Sequence, residues 1–247
     1  MIGKFILPWF GGTPAVWSTA MLFFQIFLTG GYAYAYWLVK RARQGWIHIA
    51  LLGMTITLLT ALGLGWPSPV TPSADMRPAD VSFPVFHIFR LLTVSVGLPY
   101  FVLAANGPLM QAWFSHVFPE RSYARLYALS NVGSLLGLLA YPVLIEPTFS
   151  LRQQGWAWAG GFVLFAVVAG LLSWRARETK ASVEQVSVSE EPSLSLRVLW
   201  IILSGIASLF LLSVTNQISQ EVAVIPFLWI VPLAIYLLSF ILAFSDS

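Results

Sequence analysis

The chain has 247 residues, of which 58% are hydrophobic and 9% charged, with net charge +3 and mean hydropathy +0.79. A soluble domain carries about 25% charged residues, so this composition excludes a water-soluble globular protein and points to an integral membrane protein. With no cysteine there is no disulfide framework, thiolate metal site or cysteine nucleophile. The longest basic run is KRAR at 40–43, too short to suggest a nucleic-acid partner.

The opening MIGKFILPWFGGTP is broken by Pro8, Gly11, Gly12 and Pro14. It is too short to cross a bilayer, lacks the layout of a signal peptide, and reads as the tail of a helix whose first part is missing. Seven apolar stretches of spanning length follow, at about 16–39, 46–66, 85–105, 126–145, 156–174, 198–214 and 222–244. They predict an all-α, polytopic helical bundle forming a single transmembrane domain over 1–247. A proline-rich polar loop at 67–84 separates the second and third spans, and a hydrophilic loop at 175–196 separates the fifth and sixth. Eleven Trp and eighteen Phe suit aromatic anchoring at two interfaces.

Lys and Arg set the expected orientation. With strict alternation of seven spans, Lys40, Arg41, Arg43, Arg121, Arg125, Arg175, Arg177, Lys180 and Arg197 fall on one side. Lys4, Arg77, Arg90 and Arg152 fall on or near the other. Nine against four predicts the N-terminus outside and the C-terminus inside.

Small residues spaced four apart let helix backbones approach closely, which matters because apolar contact alone does not drive association in lipid. Gly31 with Ala35 and Gly133 with Gly137, the latter flanked by Ser130 and Ser134, are such pairs. Both are expected to pack inside the bundle.

The stretch 86–146 is the most informative, because it holds residues that hydrocarbon rejects unless protein or water covers them. It reads as a helix pair forming the bundle interior. Arg90 lies about a turn from the outer face, where it either snorkels to the headgroups or turns inward with His87 to meet an anionic group, Glu146 or Glu221. Gly97, Pro99, Gly107 and Pro108 interrupt the first helix, and the second pair reads as a helix end. Asn131 and Gln25 are uncharged polar groups within spans, suited to interhelical hydrogen bonds, and Asn106 is a further polar residue at the edge of an apolar run. Asn216, Gln217, Gln220 and Glu221 read as a short polar connection at the outer face. The candidate substrate-binding residues are therefore Arg90, His87, Asn106, Asn131, Glu146 and Glu221. The three histidines (48, 87 and 116) have no ligand spacing, so no metal or other cofactor is expected. Nor is there a Ser–His–Asp set, an in-site carboxylate pair or a nucleotide-binding glycine loop.

Four blocks carry a family resemblance: KFILPWFGGTPAVWSTAMLFFQ at 4–25, GLPYFVLAANGPLMQAWF at 97–114, YALSNVGSLLGLLAYPVLIEP at 127–147 and VTNQISQEVAVIPFLWIVPLAIYLLSFILAF at 214–244. Together they resemble the membrane region of bacterial spermidine-synthase-like proteins, in which a major-facilitator-like bundle is fused to a polyamine aminopropyltransferase-like domain. The resemblance implies a membrane module in the bacterial cytoplasmic membrane that anchors or supplies a cytoplasmic transferase. The glycine-rich cofactor loop and acidic residues of that transferase match no position here, so no enzyme activity is expected of these residues alone. The chain reads as starting within the family's first helix and stopping where the transferase domain would be approached. The other expectation is a stand-alone permease for a small solute.

Overall fold

The computed structural model describes residues 2–11, 13–78, 83–118, 120, 122–176, 192–221 and 226–245. It is 87% helical, with no strand among the described residues. The helices are α1 (Ile2–Phe10), α2 (Pro14–Leu38), α3 (Gln44–Gly65), α4 (Pro84–Leu92), α5 (Leu98–Val117), α6 (Ala124–Ala140), α7 (Glu146–Thr148), α8 (Leu151–Ala176), α9 (Leu194–Glu221) and α10 (Pro226–Ser245). Proline opens α2 and α4, where its missing N–H is one the helix could not pair anyway and its fixed φ suits the first turn.

Five helical stretches are long and apolar enough to cross a membrane: Gln44–Gly65, Pro84–Val117, Ala124–Thr148, Leu151–Arg175 and Leu194–Val214. This is a polytopic, all-α membrane protein. The expected first span corresponds to α2, a 25-residue helix that is not among these five. For the last span, Ile230–Ser245 is a shorter apolar helix, and positions 222–225 of the prediction lie outside the described residues. The polar connection expected at 216–221 is helical in its backbone, since α9 runs on through Glu221.

Hydroxyl groups within the spans are satisfied locally. Thr55 donates to the Leu51 carbonyl at 2.8 Å, Ser95 to Leu91 at 2.8 Å and Ser173 to Ala169 at 2.7 Å. Each bond runs one turn back along its own helix, which lets a polar side chain sit in apolar surroundings without an orphaned group.

The chain divides into two compact units, one of Met1–Phe118 with Thr148–Ala181 and one of Pro119–Pro147 with Ser182–Ser247. In the first, α2 packs against α4 and α5, and α3 against α8. Its core includes the fully buried Phe23, Ile88, Leu92, Val96 and Val102. Phe23 meets Phe27 at 4.3 Å and the edge of Phe89 at 5.7 Å between ring centres. Gly31 lies where α2 and α5 approach closely. A Cβ there would fall 2.7 Å from the Ala104 Cβ and 2.8 Å from the Phe101 carbonyl oxygen, and Ala35 one turn on is buried.

Between α4 and α5 the chain makes a π-helical turn at Thr93–Gly97. Pro99 explains it: its ring would clash with the Ser95 carbonyl, and it has no N–H to donate there, so the turn widens by a residue. The expected helix end at Gly107–Pro108 does not occur, because α5 carries Pro108 in its interior and continues to Val117. Pro84–Val117 is thus one 34-residue rod, about 51 Å long at 1.5 Å per residue, and longer than the ~30 Å apolar layer.

The loop after α3 is a packed cap. Ser68 and Val70 are buried, and Arg152 Nε and Trp156 Nε1 of α8 both donate to the Pro67 carbonyl, at 3.0 and 3.1 Å. Gly155 lets the loop close down, since a Cβ there would lie 2.9 Å from the Ser68 Cβ. Beyond it the Ser73 hydroxyl donates to the Asp75 carboxylate and holds that carboxyl below its usual range.

In the second unit α10 packs against α6 and α9. Tyr127 of α6 sets its edge against Phe240 and Phe244 at 5.7 and 5.0 Å. A second π turn at Tyr141–Ile145 surrounds Pro142.

Candidate functional site

The sequence-predicted residues do not converge. Arg90 is exposed on α4 and makes no hydrogen bond or ion pair with a described residue; it shares its face with the exposed Phe83 and Phe86. His87 is half-buried, its ring edge against Phe86 at 5.8 Å. Asn106 is half-buried on α5. Asn131 donates to the Tyr127 carbonyl at 2.8 Å, so its amide nitrogen is used within its own helix. Gln25, offered as a similar bridge, is exposed. Glu146 belongs to the second unit and is exposed. The side chain of Glu221 lies outside the described residues.

A different set comes together in the first unit, where the last third of α2, the first turns of α3 and the end of α5 meet. Gln44 and His48 are one turn apart on α3, at 5% and 0% exposure. The indole Nε1 of Trp113 donates to Gln44 Oε1 at 3.0 Å, tying α5 to α3. The Tyr34 hydroxyl lies 3.3 Å from His48 Nδ1, tying α2 to α3. Aromatic rings enclose the imidazole: Tyr34 stacks at 6.0 Å, and Trp113 meets it edge-on at 6.1 Å. Tyr34 also leans on Phe101 at 5.4 Å. Ala35, Leu38, Ala105 and Leu109 surround this set with apolar side chains.

Interhelical hydrogen bonds of this type contribute roughly 0.6–2 kcal/mol in a membrane. Gln44–Trp113 has the better geometry; 3.3 Å is long for Tyr34–His48. His48 Nε2 is buried and has no hydrogen-bond partner. A buried polar atom left unpaired costs roughly 1–3 kcal/mol, so it is the one open valence of the cluster. The arrangement locks three helices together and can offer one hydrogen bond to a small polar group. Among the described residues no group of three His, Asp or Glu could hold a metal ion.

Just beyond the cluster, Lys40, Arg41 and Arg43 are exposed. Lys40 lies 3.8 Å over the Tyr36 ring, and the Arg41 guanidinium 4.5 Å over Trp37.

Sequence reasoning missed the buried cluster. The available signal was a glutamine and a histidine one turn apart at the start of an otherwise apolar span. Tyr34 and Trp113 carried no signal, because aromatic residues are common at membrane interfaces. Comparison with known protein families, curated proteins and solved structures finds no match for this chain.

Proposed function

We propose that the chain is the integral membrane module of a spermidine-synthase-like fusion, anchoring or supplying a cytoplasmic polyamine-type transferase domain whose motifs these 247 residues do not carry. In this reading α2 and α10 join the five long apolar helices as sixth and seventh crossings, with the N-terminus outside the bacterial cytoplasmic membrane and the C-terminus inside. The observation that carries the proposal is the use made of buried polar side chains. Gln44, Trp113, Tyr34 and His48 tie helices to one another, as a rigid platform requires, while Arg90, His87 and Asn106 share no hydrogen bond. The resemblance supports it, since the block at 97–114 covers about half of the rod Pro84–Val117, the best buried of the long apolar stretches.

The test uses membranes from cells expressing the natural gene. Aminopropyl transfer to a polyamine should sediment with the membranes and be precipitated by an antibody to this chain. Transferase activity that never co-purifies with it overturns the reading. Single cysteines at Ser73 and Arg43 in this cysteine-free chain should react with an impermeant maleimide from outside and inside respectively; the reverse inverts the orientation.

A second reading, a permease for a small solute, is favoured by the unpaired Arg90 and the open Nε2 of His48. It expects solute uptake by proteoliposomes holding this chain alone, abolished by Arg90→Ala with the protein still folded.

A further inference from the structure

We propose that the basic and aromatic rim beside the α2–α3 turn binds the headgroup of an anionic phospholipid. Three cations, Lys40, Arg41 and Arg43, occupy the turn between α2 and α3, all exposed. A fourth, Arg175, arrives from α8. Gly63 of α3 lies against Trp156, and Leu52 against Gly170, so the two helices run antiparallel. Following that register toward the start of α3 brings the exposed Arg175, in the last turn of α8, to the same end.

Within the first unit no described carboxylate lies at this end. The only described carboxylate of the first unit is Asp75, in the loop beyond the far end of α3. An array of one sign without counter-charge is a footprint for an anionic partner.

The aromatic residues say which anion. Tyr36, Trp37 and Trp46 are 67%, 44% and 54% exposed at the same level, as side chains are where apolar tails give way to headgroups. Lys40 and Arg41 lie over two of these rings. Stacking holds each stem against the interface, and Lys40 donates one hydrogen to the Tyr36 hydroxyl at 2.5 Å, which leaves two of the ammonium's three donors for a ligand. Arginine presents donors in the fork geometry that phosphate oxygens accept. A phosphate ester on a lipid reaches both the cations and the rings, whereas a free phosphate has nothing to lay on Trp37 or Trp46.

The experiment uses the whole chain in nonionic detergent, titrated with phosphatidylglycerol or phosphatidylcholine in mixed micelles and read by native mass spectrometry. Phosphatidylglycerol should bind and phosphatidylcholine at least ten-fold more weakly. At roughly five-fold per cation near a charged interface, the K40Q/R41Q/R43Q protein should lose about 100-fold in affinity. Arg77→Gln, in the loop at the other end, should lose nothing. Binding by the wild type should also fall steeply with added salt, a readout that holds even if the triple variant does not fold. Equal binding of the two lipids, a folded triple variant that still binds, or salt-insensitive binding overturns the proposal. So does competition by millimolar glycerol phosphate as strong as that by the lipid, which would make this a free-phosphate site.

Discussion

Gly31 in the first unit and Gly133 in the second belong to the same kind of small-residue spacing, yet they do opposite things. Around Gly31 two helices close until a single added carbon would strike backbone, whereas a Cβ at Gly133 or Gly137 meets nothing within 4 Å. The contrast extends over the whole units. Half of the most apolar window of Pro84–Val117 is buried within the protein, against 6% for Ala124–Thr148 and none for Leu194–Val214. Positions 193–210 are exposed all the way round α9, including Ile201, Leu209 and Phe210 at 70%, 68% and 71%. In water such a surface would be a liability; in lipid it is an ordinary exterior, because hydrocarbon tails solvate leucine as well as another helix does. What distinguishes the units is therefore how much of their apolar length is buried within the protein, because α6 and α10 approach each other as closely as α2 and α5 do.

The sharpest way to break this comparison is to substitute both glycines. Gly31→Val should lower the free energy of unfolding in mixed micelles by about 1–3 kcal/mol through overpacking against Phe101 and Ala104, while Gly133→Val should change it by less than about 0.5 kcal/mol. Equal effects would mean that the spacing alone decides. Next in size, Gly155→Ala should cost about 1–2 kcal/mol, because the new methyl meets the Ser68 side chain beneath the cap. Limited proteolysis within 67–78 should accelerate in the same variant. The smallest effect tests the polar ties. A double-mutant cycle of Gln44→Leu and Trp113→Phe should return a coupling of about 0.6–2 kcal/mol. A coupling near zero would mean that the Gln44–Trp113 bond adds nothing to the packing of α3 against α5.

The helical, membrane-spanning character was legible because backbone polar groups in hydrocarbon have few ways to pair, and long apolar runs announce them. Interruptions were harder to read. Pro99 and Pro108 look alike in sequence, but one sits behind a π turn and the other within an unbroken helix. Their effect depends on what neighbouring helices supply. The helices at 86–146, expected as one interior pair, fall in different units, and the first has half of its most apolar window buried while the second has 6%. Hydropathy does not separate the two, since a lipid-facing side and a protein-facing side can be equally apolar. The buried cluster escaped for a related reason: His48 and Gln44 gain their meaning from Trp113, which is distant in sequence and unremarkable alone.

The widened turn at Thr93–Gly97 has a consequence for how this chain tolerates length changes. Removing one residue there would restore regular winding and swing everything upstream by about 100°. Arg90 would then take the place of Leu91, and His87 that of Ile88, both now sealed in the core. One surplus amino acid thus acts as a rotational spacer that keeps a permanent positive charge out of the protein's interior, and its deletion should be far worse tolerated than the loss of a residue from any exposed loop.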